Sequence, residues 1–316
     1  MPMTIMPPKK ISLVLAGSPQ LAVPAFEALW RDGRYNIVGV LTQPDKPAGR
    51  GQKITPPPVK VWAQSHNLPV WQPEYLPSWL TIAQEIKPEM IVVMAYGQFI
   101  PSSLLNLPWL GWINVHGSLL PKYRGAGVLT APILNGDRET GISLIRLTKK
   151  LDAGPIIARR VIPLSPIETS GSLAAKIANE AALMLPDVLY QYAQGLLVPK
   201  EQDESQATYV GLIKPQDARI DWRKSAVEIE RFIRAMQPKP GAWTMWDGQR
   251  LKIIASEVAD SAGFRPGQVE HISNHLVVGT GQGNLIVDKL QLAGRSVLSG
   301  EEFLRGYPNV VSAVWS

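Results

Sequence analysis

The sequence predicts an α/β chain with a smaller β-rich part behind it: an open, mostly parallel Rossmann-like sheet over residues 1–197, a linker at 198–207 and an OB-like β-barrel over 208–316. Three observations lead there. Strand-length apolar runs alternate with helix-like stretches through the first two thirds of the chain. Beyond Thr208 the runs become short and are separated by Gly-bearing turns. A length of 316 residues also favours two hydrophobic cores over one.

Residues 11–16 (ISLVLA) form a continuous apolar run, followed by Gly17, Ser18 and Pro19 and then by a helix-like stretch over 24–30. A second run, 36–41 (NIVGVL), follows at the distance of a right-handed parallel crossover. Further strands are expected at 90–94 (MIVVM), 112–115 (WINV), 142–147 and 156–162, with helices or irregular stretches at 59–66, 78–86 and 130–134 between them. Runs that do not alternate belong to strands covered on both faces. A long helix is expected over 172–193, interrupted by Pro186, and then comes VPKEQDESQA, polar and without apolar period. In the last third, 228–236 reads as a helix and 249–258, 267–271, 276–280 and 284–290 as short strands.

Composition narrows the functional class. The chain is 45% hydrophobic and 18% charged, which argues against intrinsic disorder. The absence of cysteine removes disulfide scaffolds, thiolate metal sites and covalent cysteine chemistry. No apolar run approaches the roughly 20 residues of a bilayer-spanning helix, and the opening MPMTIMPPKK lacks an apolar signal core, so a cytoplasmic location is expected. Lys and Arg outnumber Asp and Glu by 32 to 26, a net charge of +6, mild enough that any nucleic-acid surface must be local.

A lone Gly17 between the first strand and helix does not make a dinucleotide site, because the further glycines of that turn are missing from AGSPQLAVP. The richest stretch is GWINVHGSLLPKYRGAG. Asn114 and His116 alternate around Val115 at the end of a short strand, so both emerge on one face. Buried polar groups so placed need partners or work to do. They read either as satisfied core hydrogen bonds or as working groups at the carboxyl ends of the strands, where open α/β sheets bind ligands. Asp152, in LTKKLDAGPII, reads either as a turn aspartate or as the group that fixes the imidazole tautomer. An amide, an imidazole and a carboxylate without a Ser or Cys nucleophile suit a transfer in which the substrate itself attacks. Asn114 then donates to a developing oxyanion, His116 handles the proton, and Asp152 holds His116.

INVHGSLLPKYRGAG followed by LDAGPI resembles the signature of the 10-formyltetrahydrofolate-dependent formyltransferases. TQPDKPAGRG, VVMAYGQFIP, ARIDW and IRAMQPKPGAW are similar, in the same order, to the branch of that family whose acceptor is initiator tRNA. The resemblance spans nearly the whole chain. It implies a formyltransferase fold and 10-formyltetrahydrofolate as formyl donor without a metal. The acceptor it implies is the α-amino group of methionine esterified to initiator tRNA, and the chain is expected to act as a monomer. Asn114, His116 and Asp152 fall on the family's catalytic positions. The folate is expected near Met94, Ala95, Tyr96 and Gly97 and beside Ser118, Leu119, Leu120 and Pro121, with core packing as the competing role for the two leucines. The loop 42–60 carries Lys46, Arg50, Lys53 and Lys60 against Asp45, in an ordered, non-helical excursion, and the resemblance places Lys46, Arg50 and Lys53 on the acceptor stem. In the barrel, Lys214, Arg219, Arg223, Arg231 and Arg234 are candidates for the tRNA backbone, although Asp217, Asp221, Glu228 and Glu230 lie among them. Three departures stand out: RGAGVLTAP delays its proline to Pro132, Lys150 replaces a usual glycine, and Lys46 an arginine. Two other functions share part of this pattern: formyl transfer to a different amine such as an amino sugar, and a non-catalytic tRNA-binding or nucleotide-binding module.

Overall fold

The computed structural model describes residues 9–49, 51–259 and 263–316, so the stretch MPMTIMPP and Arg50 lie outside the described residues. Two compact units are present. The first comprises the chain up to Gly125, Thr140–Ile162 and Ala174–Tyr209; the second comprises Ala126–Glu139, Pro163–Leu173 and Val210–Ser316.

In chain order the elements up to residue 210 are β1 (Ile11–Gly17), α1 (Val23–Arg31), β2 (Tyr35–Leu41), β3 (Lys46–Ala48), β4 (Lys53–Thr55), α2 (Pro58–Ser65), β5 (Val70–Trp71), α3 (Leu80–Ile86), β6 (Met90–Met94), α4 (Ser102–Leu105), β7 (Trp112–His116), β8 (Arg124–Gly125), α5 (Ala131–Asn135), β9 (Glu139–Arg146), β10 (Ile156–Pro163), α6 (Ser170–Ala193) and β11 (Tyr209–Val210). The main sheet has the order β10-β9-β7-β6-β1-β2-β5. Strand β1 runs parallel to β2 and β6, β6 to β7 and β2 to β5, while β7 meets β9 antiparallel. Leu13, Val14, Leu15 and Ala16 are all fully buried, so β1 is covered on both faces, as its unbroken apolar run predicts. On one face Trp79 packs between Trp71, tilted at a ring-centroid distance of 5.5 Å, and Trp112, edge-on at 6.4 Å.

The chain winds outward in opposite directions from β1, to β2 on one side and β6 on the other. Gly17 ends β1 at this switch point, where a side-chain carbon would come within 2.7 Å of the Met94 carbonyl oxygen. Helix α6 differs from the sequence expectation by running unbroken through Pro186. In the excursion after β2, β3 and β4 pair antiparallel as a hairpin, with Lys46 opposite Thr55 and Ala48 opposite Lys53. The segment 198–207, expected as a linker, is laid on the first unit, where Lys200 and Ile156 exchange backbone hydrogen bonds of 2.7 and 2.9 Å.

The second unit contains α5, α7 (Ala226–Ala235), β12 (Trp243–Trp246), β13 (Gln249–Ala259), β14 (Val269–Ile272), β15 (His275–Gly279), β16 (Asn284–Leu292), β17 (Leu298–Ser299) and α8 (Gly300–Gly306). Its sheet has the order β12-β13-β16-β15-β14, with antiparallel pairing and β17 beside β16. Register shifts near Ala255 bend β13. The last residues then join the two edges. Val269 N–H donates to Ala313 O (2.9 Å) and Trp315 N–H to Gly267 O (2.8 Å) beside β14, while Met245 on β12 and Ser316 exchange bonds of 2.8 and 3.2 Å. Sheet curvature plus this closure gives the barrel-like form expected from the short strands. Helix α7 begins at a capping box in which the Ser225 hydroxyl accepts from Glu228 N–H and the Glu228 carboxylate accepts from Ser225 N–H.

Candidate active site

Strand β7 places Asn114 and His116 on one face, and the pairing of Val93 with Asn114 sets them beside the end of β6. Asp152 arrives from the loop between β9 and β10, and the three side chains meet. The His116 Nδ1 atom lies 3.6 Å from Asp152 Oδ2, and Asn114 Nδ2 lies 3.4 Å from Asp152 Oδ1. His116 and Asp152 are 5% and 8% exposed, so water screens their interaction little.

Each group has a second attachment that fixes it. The His116 Nε2 atom is 2.8 Å from the Tyr123 carbonyl oxygen, which can only accept, so Nε2 carries a proton and Nδ1 is the nitrogen left to exchange one. Asp152 Oδ2 accepts a 2.8 Å bond from Gly125 N–H. At 3.4 Å the Asn114 contact is long, which leaves its amide hydrogens available to a better acceptor. Asp152 itself has a φ of 47°, a left-handed conformation that aspartate tolerates better than most residues. Two residues farther on, Gly154 passes so close to Arg146 that a side-chain carbon would sit 1.8 Å from the Arg146 carbonyl oxygen.

The residues expected around the folate divide into two kinds. Met94 and Tyr96 are buried, and burial pushes the Tyr96 phenol up to about 12. Ala95 and Gly97 are exposed, with φ of 53° and 89°, and present backbone at the carboxyl end of β6. Ser18 ties this turn to β2 by donating to Tyr96 O (3.2 Å) and accepting from Gln43 N–H (3.1 Å). The Gln43 Nε2 and Tyr96 hydroxyl atoms are buried without a hydrogen-bond partner among the described residues, and Gln43 Nε2 lies 3.8 Å from where a Gly97 side chain would begin. Such orphaned polar atoms are what a site awaiting a polar ligand displays. In the second segment, Ser118 is fully buried and donates to Lys122 O (2.6 Å). Leu120 packs on Ile145 and Ile156, whereas Leu119 is half-buried over Gly141 and Pro121 is buried. Core packing therefore accounts for Leu120.

The candidate tRNA residues are less uniform. Lys46 and Lys53 are exposed on the hairpin with no ion-pair partner among the described residues. Lys60 instead pairs with Asp45 at 2.7 Å, and Gln72 and Lys60 together hold that carboxyl below its usual range. Arg50 is outside the described residues. In the second unit, Arg223 is paired with Asp221, holding that carboxyl at about 2, and Arg234 is paired with Glu230. Arg219 lies 5.8 Å from the ring centre of Trp243. Two clefts in this unit, of about 330 and 420 Å³, take in Arg231 with Arg234 and Arg219 with Arg223; neither includes any of the trio.

Sequence reasoning passed over Tyr123, Arg124 and Gln202. The first two lie in a signature already singled out, yet Tyr123 acts through a backbone oxygen that side-chain identity does not reveal.

Comparison with known proteins adds independent information. Residues 9–189 match the formyl transferase family, and residues 212–308 match the formyl transferase C-terminal domain. A methionyl-tRNA formyltransferase from Chloroflexus aurantiacus is 44% identical over 299 residues, covering 93% of this chain and 96% of that protein. Among solved structures, an N-formyltransferase from Helicobacter canadensis in complex with folinic acid and dTDP-3-aminofucose superposes with a TM-score of 0.67 at 20% identity, over 88% of this chain and 98% of the other. HypX from Aquifex aeolicus in complex with tetrahydrofolic acid superposes with a TM-score of 0.64 at 16% identity, over 97% of this chain and 48% of that larger one. At such identities the structural likeness establishes the fold.

Proposed function

This chain belongs to the formyl transferase family, and on that premise we propose that Asn114, His116 and Asp152 form the catalytic centre of a direct formyl transfer. The enzyme transfers the formyl group of 10-formyltetrahydrofolate to the α-amino group of methionyl initiator tRNA, the activity named for its relatives at 44% identity over nearly the full length. No described helix is long and apolar enough to cross a membrane. Cytoplasmic location and monomeric action are part of this reading.

The amine nitrogen bonds to the formyl carbon, the carbonyl oxygen takes up negative charge, and the bond from that carbon to the folate nitrogen then breaks. A proton must leave the attacking nitrogen and one must reach the departing nitrogen. His116 Nδ1 takes the first and returns it as the second, because Nε2 is committed to Tyr123 O. While the proton is on Nδ1, the Asp152 carboxylate at 3.6 Å stabilises the imidazolium. Asn114 donates an amide hydrogen to the developing oxyanion, a role consistent with its long contact to Asp152. The turn Met94, Ala95, Tyr96 and Gly97 offers backbone groups and the Gln43 amide to the polar edge of the folate. Ser118, Leu119, Leu120 and Pro121 form the opposite wall, Leu120 from within the core. Lys46, Arg50 and Lys53 carry the acceptor stem. The two domains are read as 1–197 and 208–316, joined by 198–207.

The observation that carries this reading is the convergence of an amide, an imidazole and a carboxylate, with the imidazole Nε2 held by Tyr123 O and Nδ1 facing Asp152. It is tested by offering the purified protein 10-formyltetrahydrofolate with methionyl initiator tRNA, methionyl elongator tRNA and a nucleotide-linked amino sugar. Formylation of the initiator form alone is expected. Preferential formylation of the sugar would reject the acceptor, and no transfer to any amine would reject the chemistry.

A further inference from the structure

The segment read from sequence as a featureless linker contains Gln202, which is 9% exposed. Its amide nitrogen donates both hydrogens to the loop that carries Asp152: 2.7 Å to Asp152 O and 2.8 Å to Gly154 O. Its amide oxygen accepts from Arg124 Nε at 3.2 Å and Nη2 at 2.8 Å. The orientation of this amide is therefore dictated at both ends. Turned over, it would set its oxygen against two carbonyl oxygens and its hydrogens against a guanidinium.

Arg124 is fully buried, and each of its hydrogens has a partner. Beyond the two given to Gln202, Nη1 and Nη2 grip the Glu204 carboxylate at 2.9 and 3.0 Å, and Nη1 also donates to the Tyr209 hydroxyl at 3.0 Å. The Glu204 carboxylate raises the guanidinium above its ordinary value, and Arg124 holds Glu204 below the usual glutamate range. Such a fully used, bidentate guanidinium is a rigid anchor. The same three-residue stretch serves the catalytic side chains directly, since Tyr123 O accepts from His116 Nε2 and Gly125 N–H donates to Asp152 Oδ2. Asp152 is in the left-handed region, which persists only where the surroundings over-determine it.

We propose that Gln202, locked by Arg124 and Glu204, is a positioning residue that holds the Asp152 backbone so that its carboxylate faces His116 and Asn114. The inference rests on the catalytic reading of Asp152 given above. It assigns no chemistry to Gln202, which reaches the reaction only through Asp152.

Gln202→Glu separates the two ends of the device. A carboxylate of the same shape still accepts from Arg124 but has no hydrogens for Asp152 O and Gly154 O. Steady-state kinetics with 10-formyltetrahydrofolate and methionyl initiator tRNA are measured for the parent, Q202E, D152N and the D152N/Q202E double variant. Q202E is expected to lower kcat by about 10- to 100-fold, with each KM within about threefold of the parent, the cost of a small misplacement of a catalytic group. On the D152N background the same change is expected to cost less than about threefold, because its route to the reaction is already cut. Equal losses on both backgrounds, a loss confined to KM, or parental turnover of Q202E would overturn the proposal. Near-parental turnover of D152N would instead overturn the catalytic reading on which it rests. If Q202E does not fold by circular dichroism, Gln202→Met carries the same cycle with the same expected non-additivity.

Discussion

The trio beside β7 and the basic hairpin formed by β3 and β4 present their proposed functional side chains in opposite ways. His116 and Asp152 are buried, and each is fixed from two sides. Lys46 and Lys53 are exposed and lack ion-pair partners among the described residues. A proton transfer requires a fixed distance and a fixed tautomer, so its groups must be held before the substrate arrives. Attraction to a phosphate backbone acts over the Debye length and needs only charge that can reach. On the proposed assignments, rigidity is thus concentrated where bonds change, and freedom is left where a large partner must be accommodated.

The sharpest break of this contrast is at the rigid side. His116→Ala is expected to lower the chemical rate by about a hundredfold or more with the fold intact, measured in single-turnover formylation and by circular dichroism. Turnover within a few fold of the parent would remove His116 from the proton path. A smaller effect is expected from the hairpin. Replacing Lys46 and Lys53 by alanine should raise KM for tRNA by roughly tenfold and reduce the log-log salt slope by about one to two, leaving KM for 10-formyltetrahydrofolate unchanged. If the folate constant moved instead, the hairpin would belong to the rigid site. The smallest effect concerns Glu204. Because Arg124 depresses its folded-state pKa, the stabilisation is complete above the ordinary glutamate value and is lost as pH falls through the depressed one. The thermal midpoints of the parent and Glu204→Gln should therefore differ at pH 7 and converge on acidification through that window; a gap that persists below it would show that Glu204 acts through packing.

Much of the first unit was legible because burial on both faces leaves a direct trace: 11–16 and 90–94 are apolar without alternation, and both are buried strands. Asn114 and His116 were legible for the converse reason, as polar groups on such a strand. The continuity of α6 was hidden because a helix can carry a proline when its packing outweighs one missing donor. Closure of the second sheet by residues 313–316 was hidden too, since that short segment lacks the alternation that marks a strand. Gln202 was unreadable for a more general reason. A polar residue in a polar run reads as solvated, and only three-dimensional pairing shows that both ends of its amide serve buried groups.

Residue 202 lies 50 positions downstream of the aspartate it steadies. A nascent chain therefore displays its amide, imidazole and carboxylate well before the brace that sets them has been translated. On the proposed assignments, competence comes late in synthesis, with the stretch that follows α6, and a ribosome-bound polypeptide ending at Ala193 would own the trio yet lack its brace.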